Sequence, residues 1–297
     1  MNTTSMPIAS NRVQDIKRHI RLSLCDSYSN GELESVVRIL FEAFMGWDST
    51  QLLLHGNETV NQSDLLRFYW AVEALRKGQP IQQVVGYTDF GECRIFVNSH
   101  TLIPRPETEE LALRAIQIAK TSLPDHPHCL DLCTGSGCIA IALSKALPNA
   151  TVWGADISEP ALKMACHNAV SNHVEVSFIY TDLMGCTDTI HSLGKMDLII
   201  SNPPYVMEHE RAQMHRRVLD FEPDTALFVP DCDPLKFYRS IAILSQSCLD
   251  DNGVLMLEIN EKLGTETIQL IKSLGFEGDV LQDFWGKDRF VVAHHCR

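Results

Sequence analysis

The chain has 297 residues, 45% hydrophobic and 21% charged, a globular composition long enough for two unequal domains. The net charge of −13 weighs against direct nucleic-acid binding, which needs basic surface to displace counterions, and no stretch approaches the ~20 apolar residues of a membrane span. Residues 1–80 carry eight Lys/Arg against nine Asp/Glu, so nearly all of the negative charge lies beyond them, where a neutral or basic protein partner is a better fit than a polyanion.

The first dozen residues lack the apolar core of a secretory leader. Arg12, Lys17, Arg18 and Arg21 read as the polar face of a first helix, so a cytoplasmic location is expected, with a mitochondrial one as the alternative. Residues 11–78 read as helices. Leu33, Val36, Val37, Leu40, Phe41 and Phe44 fall at helical spacing, as do Leu65, Leu66, Tyr69, Trp70, Val72 and Leu75. Gly46-Trp47-Asp48 and Gly56-Asn57 are breaks, Ser63-Asp64 is a cap, and Lys77-Gly78-Gln79-Pro80 ends the segment. Residues 1–80 are therefore expected to form a helical bundle that serves as a substrate-docking domain or as a stabilising cap.

Val84–Phe90 and Cys93–Val97 predict a β-hairpin turning at Gly91-Glu92, so 81–103 is a linker. Pro106 and the acids after it suit a helix start. From there strands are predicted near 128–133, 151–156, 175–180, 196–201, 253–259, 278–283 and 289–294. Helices are predicted near 138–147, 159–171, 235–249 and 261–274. That alternation predicts an α/β doubly wound sheet over 104–297.

Four predicted strand ends carry chemistry. Asp131-Leu132-Cys133-Thr134-Gly135-Ser136-Gly137-Cys138 joins the first strand to a helix, with glycines that let backbone approach a ligand at the helix N-terminus. The spacing is not that of a dinucleotide fingerprint. The second strand ends at Asp156, where an acid can bond ribose hydroxyls, and the third at Thr181-Asp182-Leu183, where an acid and an apolar side chain can hold a base. The fourth ends at Asn202-Pro203-Pro204-Tyr205. Two prolines cannot continue a ladder, so the backbone turns out there and offers amide acceptors and an aromatic face. A planar amide and an exocyclic base amine both fit such a turn.

The ten cysteines contain no C-x-x-C pair. Cys129, Cys133 and Cys138 span a strand and its loop, where side chains diverge, so reduced thiols and no metal site are expected. His126, His128 and the terminal His294-His295-Cys296 receive no function.

Taken with Leu102-Ile103-Pro104-Arg105-Pro106-Glu107-Thr108-Glu109 and Phe221-Glu222-Pro223, these motifs resemble the HemK/PrmC family of protein-(glutamine-N5) methyltransferases acting on peptide chain release factors. The resemblance spans residues ~80–295. It implies a class I S-adenosyl-L-methionine-dependent methyltransferase domain with a Rossmann-like seven-stranded sheet. It places Cys133, Thr134, Gly135, Ser136 and Gly137 against the methionine part of the cofactor, Asp156 on the ribose, and Asp182 and Leu183 beside the adenine. Asn202, Pro203, Pro204 and Tyr205 would hold the glutamine of a Gly-Gly-Gln loop, with Asn202 also near the cofactor. Asn202 and the Pro203 carbonyl would accept the amide N–H groups, and Tyr205 would stack on the amide. Glu107, Asp197 and Tyr205 are considered as proton acceptors, and none is assigned.

Cys133 replaces a glycine common in the family, so the backbone there is expected to avoid positive φ. Leu183 stands where some members have an aromatic. The implied partner is a release factor, with no nucleic acid or membrane and a monomeric enzyme. The alternatives are glutamine methylation of a ribosomal protein and methylation of a base amine in DNA or RNA. A fold that kept cofactor binding but lost catalysis is the reading from another class.

Overall fold

The computed structural model describes residues 8–296; part of the stretch read for a leader, residues 1–7, lies outside them, as does Arg297. The chain divides into two compact units. The first runs to Gly86 and is helical: α1 (Val13–Leu24), α2 (Asn30–Met45), α3 (Ser49–Leu54), α4 (Gln62–Arg76) and α5 (Ile81–Val85). Val13, Ile16, Ile20 and Leu24 recur at three- and four-residue spacing, so they share one face of α1 and are buried there. They meet Leu33, Val37, Leu40 and Phe41 of α2 and Phe68, Val72 and Leu75 of α4 in one core.

The helix ends have local causes. Ser29 and Glu32 form a reciprocal capping box on α2, and Gly46 closes it at φ +70°. The cap of α4 is Asn61, whose Oδ1 accepts the Asp64 N–H at 2.8 Å. Ser63-Asp64, expected as that cap, lies inside the first turn instead. Val84 and Val85, expected in the hairpin, belong to α5, which Gly86 terminates in the left-handed region. Arg216–Phe221 also belongs to this unit. There the Arg217 guanidinium lies 4.0 Å from the Tyr28 ring centre and donates to the Ser27 carbonyl, while Gln83 donates to the Phe221 carbonyl.

The second unit covers Tyr87–His215 and the chain from Glu222 on. It opens with the hairpin β1 (Tyr87–Phe90) and β2 (Cys93–Phe96), then α6 (Pro106–Ser122), which begins on Pro106 as expected. There follow β3 (His128–Leu132), α7 (Cys138–Ala146), β4 (Thr151–Asp156), α8 (Glu159–Ser171), β5 (Ser177–Tyr180), α9 (Asp188–His191) and β6 (Met196–Ser201). Next come β7 (Val206–Met207), α10 (Arg216–Leu219, in the first unit), β8 (Phe228–Val229), α11 (Lys236–Cys248), β9 (Leu249–Glu258), α12 (Gly264–Ser273), β10 (Phe276–Gln282) and β11 (Asp288–His295).

Seven strands form one sheet in the order β10-β11-β9-β6-β3-β4-β5. The five from β9 to β5 are parallel, and β11 inserts antiparallel between β9 and β10. Alternate residues feed separate cores, as a pleat requires. Cys129, Leu198, Ile200 and Met256 join α6 and α7, whereas Leu130, Ile199, Leu255 and Leu257 join α11 and α12. Because both faces are covered, the central strands read as continuous apolar runs.

The hairpin is held by two asparagines one turn apart, Asn168 in α8 and Asn172 capping its C-terminus. Asn168 exchanges hydrogen bonds with the Phe96 backbone at 2.8 and 3.0 Å, and Asn172 does the same with Arg94. Both are buried, so they replace a missing neighbouring strand for β2.

Candidate active site

The carboxyl ends of the parallel strands enclose a cavity of about 440 Å³, lying wholly within the second unit. This is where a doubly wound sheet leaves a crevice, and the volume falls in the ~300–1,000 Å³ range of small-molecule sites.

The turn after β3 forms its floor. Thr134 donates its N–H to Ala155 of β4, and the Gly137 N–H closes the turn on the Thr134 carbonyl at 2.8 Å. Gly137 sits at φ +80°, and a Cβ there would lie 3.0 Å from Ala165 and 3.2 Å from Ile141 and Phe178. Only glycine fits both the angle and the space. Cys133 does not behave as expected: its φ is +59°, in the left-handed region. The chain keeps a conformation natural to glycine and carries the strain of a side chain there, on the order of 1–2 kcal/mol. Burial, and then the Asp156 carboxylate, push the Cys133 thiol up, so it stays protonated.

Asp156 ends β4. Its carboxylate takes the Gly135 N–H at 2.8 Å and the Ser158 N–H at 2.9 Å, yet the residue still faces the cavity. Burial raises its pKa against the pull of those two amides. After β5, the Thr181 hydroxyl is buried without a hydrogen-bond partner among the described residues. Asp182 caps the Met184 N–H, and Leu183 leans on the α11 core.

The turn after β6 supplies Asn202 and Pro204 to the cavity. Asn202 Nδ2 donates to Thr108 Oγ1 at 2.9 Å, and that hydroxyl donates to Glu258 Oε2 at 2.7 Å. The Tyr205 hydroxyl donates to the other oxygen, Glu258 Oε1, at 2.9 Å. Thr108 and Glu258 are buried. Burial lifts the Glu258 carboxyl to about 7, against the opposing pull of the hydrogen bonds from Thr108 and Tyr205. Burial, with Glu258 second, also holds the Tyr205 phenol well above its ordinary range.

Of the residues singled out in the sequence, Cys133, Gly135, Asp156, Asp182, Leu183, Asn202 and Pro204 line the cavity. Thr134, Ser136 and Gly137 lie behind it: Thr134 bonds Asp131 and the Ser136 carbonyl takes Asn168 Nδ2. Pro203 is buried and Tyr205 is tied to Glu258, so neither side chain lines the cavity. The Tyr205 hydroxyl directs its own proton at the Glu258 carboxylate. Asp197 accepts the His128 N–H at the opposite end of the strands, far along β6 from Asn202.

The remaining wall comes from His100–Leu102, from Pro223, Thr225, Ala226 and Phe228, and from Lys236 and Phe237 at the start of α11. The first two groups flank the Arg105 and Glu222 motifs, which meet in space. Glu222 accepts the Ile103 N–H at 2.9 Å and Arg105 Nη2 at 2.5 Å. Glu258 was legible in one respect, as an acid closing the apolar run Val254–Leu257, and it was not singled out. Lys236 and Phe237 carry no sequence signal.

A parallel sheet with one inserted antiparallel strand, opening at its carboxyl edge into a ligand-sized cavity, is the architecture of the class I S-adenosylmethionine-dependent methyltransferases. Residues 114–220 match the family model of the methyltransferase small domain, and residues 16–86 match that of the PrmC N-terminal domain. The release factor glutamine methyltransferase of Flavobacterium psychrophilum is 40% identical over 274 residues, 92% of this chain and 95% of that one. That of Bacteroides thetaiotaomicron is 38% identical over 280 residues, 94% and 99% of the two chains. Among solved structures, the catalytic domain of hMettl16 bound to a MAT2A 3′UTR hairpin shares the fold at TM-score 0.52 and 16% identity, over 79% of this chain and 82% of that one. The chain belongs to the release factor glutamine methyltransferase family.

Proposed function

We propose that this protein transfers the methyl group of S-adenosyl-L-methionine to the side-chain nitrogen N5 of the Gly-Gly-Gln glutamine in peptide chain release factors. The observation that carries the reading is one cavity shared by the glycine turn, Asp156, Thr181 and the Asn202–Pro204 turn, in a chain similar over most of its length to enzymes named for that reaction.

The residues fit the cofactor. Asp156 keeps acceptor capacity for two ribose hydroxyls after taking two amides, and such donors favour its charged form against burial. The orphaned Thr181 hydroxyl sits where the base edge would lie, next to Asp182 and Leu183. The turn from Cys133 to Gly135 brings backbone close enough for the methionine part. When bound, S-adenosylmethionine supplies a sulfonium methyl group that is already electrophilic.

The protein's own task is to make a poor nucleophile react, because an amide lone pair is delocalised into its carbonyl. Asn202 Oδ1 accepts no hydrogen bond from the described residues, so it is free to take one substrate N–H; the Pro203 carbonyl, in the role the family resemblance implies, would take the other. Both acceptors gain strength as positive charge develops on the nitrogen, so they favour the transition state over the bound substrate. With the methyl donor bound, the N–C bond would form as the donor's C–S bond breaks, and that electron pair would stay on sulfur. The nitrogen's surplus proton, by then acidic, leaves to water. No base in the cavity has to act first.

Labelled methyl transfer onto purified release factor, with mass mapping of the modified residue, tests the assignment. Modification at any residue other than the Gly-Gly-Gln glutamine, or of a ribosomal protein or nucleic acid in its place, would overturn it. Asn202→Ala should lose about 10²–10³ in turnover while keeping cofactor affinity.

A further inference from the structure

We infer that Thr108 and Glu258 are positioning residues that set the orientation of the Asn202 amide, so that its oxygen and not its NH2 faces the substrate. The inference rests on the reading that Asn202 Oδ1 accepts a substrate N–H.

The argument is one of hydrogen-bond polarity. A carboxylate can only accept. Thr108 lies 2.7 Å from Glu258 Oε2 and so must spend its single proton there. Its remaining lone pairs can only accept from Asn202, which fixes Nδ2 toward Thr108 and turns Oδ1 toward the cavity. Tyr205 donates to the other carboxylate oxygen and leaves Glu258 no slack to rotate. An asparagine amide without such a partner can turn over at little cost, since O and N have nearly the same shape. A flipped Asn202 would point a donor at the substrate's own donor. The chain thus joins the start of α6, the end of β9 and the turn after β6, across 150 residues between Thr108 and Glu258.

The charged and titratable groups around Glu258 are Glu107 from α6, Cys138 from α7, Tyr205, Tyr238 from α11 and Arg289 from β11. Arg289 favours the ionised carboxylate and Glu107 opposes it. A protonated Glu258 would donate to its neighbours, so that Thr108 could turn its own proton on Asn202. Turnover should therefore fall as pH drops below about 7, the value to which burial lifts this carboxyl.

The test compares Thr108→Val, Thr108→Ser, Glu258→Gln and Asn202→Ala in the full-length enzyme with release factor as substrate. Thermal melts and S-adenosylhomocysteine calorimetry confirm folding and cofactor binding. Thr108→Val should lower kcat about tenfold or more with cofactor affinity unchanged, a loss equivalent to one hydrogen bond. Thr108→Ser should recover most of it, and Glu258→Gln should both lower kcat and abolish the acid limb of the pH profile. A residue that merely holds the fold would shift the melt and leave the profile's shape alone. Near-native kcat in Thr108→Val while Asn202→Ala is inactive overturns the relay and leaves the proposed function standing. Near-native kcat in Asn202→Ala overturns the amide clamp itself.

Discussion

Glu222→Ala is the perturbation whose cost can be worked most fully from the structure. The Glu222 side chain is 1% exposed and accepts two bonds, from the Ile103 N–H at 2.9 Å and from Arg105 Nη2 at 2.5 Å. Removing it leaves a buried N–H without a partner and a guanidinium, one-third exposed, without its counter-charge. Breaking one side of a buried pair costs about 3–5 kcal/mol. The exposure of Arg105 places the expected value at the lower end, since water can re-solvate that side. At roughly 2–4 °C per kcal/mol for a unit of this size, the melt should fall by about 10 °C. The site should suffer too, because Leu102 and Pro223, one residue outside each end of the bridge, both line the cavity. Calorimetric melting with and without S-adenosylhomocysteine identifies the transition of the cavity-bearing unit and reads both effects. Glu222→Gln keeps an acceptor for Ile103 and should cost only about 1–2 kcal/mol. An unshifted melt and unchanged cofactor affinity in Glu222→Ala would refute the reasoning, as would a double-mutant cycle with Arg105→Ala that shows no coupling.

Asp156→Ala should weaken S-adenosylmethionine binding by about 1.5–3 kcal/mol, read by titration calorimetry, since it removes a charged acceptor. Gly137→Ala meets three side chains at 3.0–3.2 Å at φ +80°, so it should lower stability by about 2 kcal/mol or more and fail to bind cofactor. Cys133→Gly relieves the left-handed strain and should melt within about 1 kcal/mol of the parent, whereas Cys133→Val, β-branched in the same conformation, should be markedly less stable. Removing residues 1–86 should leave cofactor binding intact, because every cavity-lining residue lies beyond Gly86, but should abolish methylation of intact release factor. Full activity of that truncated chain would make the helical unit a stabilising cap only.

The sequence by itself determined the alternation of strands and helices, because sheet strands buried on both faces read as apolar runs and amphipathic helices show their period. It also located the strand ends. Asp156, Asp182 and Asn202 each interrupt or follow an apolar run at the point where the backbone leaves the sheet, and Pro106 marks its helix start without any tertiary help. What only the tertiary structure decided is how groups far apart in the chain satisfy one another. Asn61 in place of Ser63 as a cap is a choice between neighbours that local chemistry leaves nearly equal. The positive φ of Cys133 is imposed by the turn closing on β4, against the residue's own preference. Arg216–Phe221 leaves the sheet for the helical unit although nothing in its composition marks a boundary. Thr108 is a helix-start threonine and Glu258 a strand-end acid until folding brings them within 2.7 Å. Burial then removes water as an alternative partner, and only then does the direction of each proton matter to Asn202.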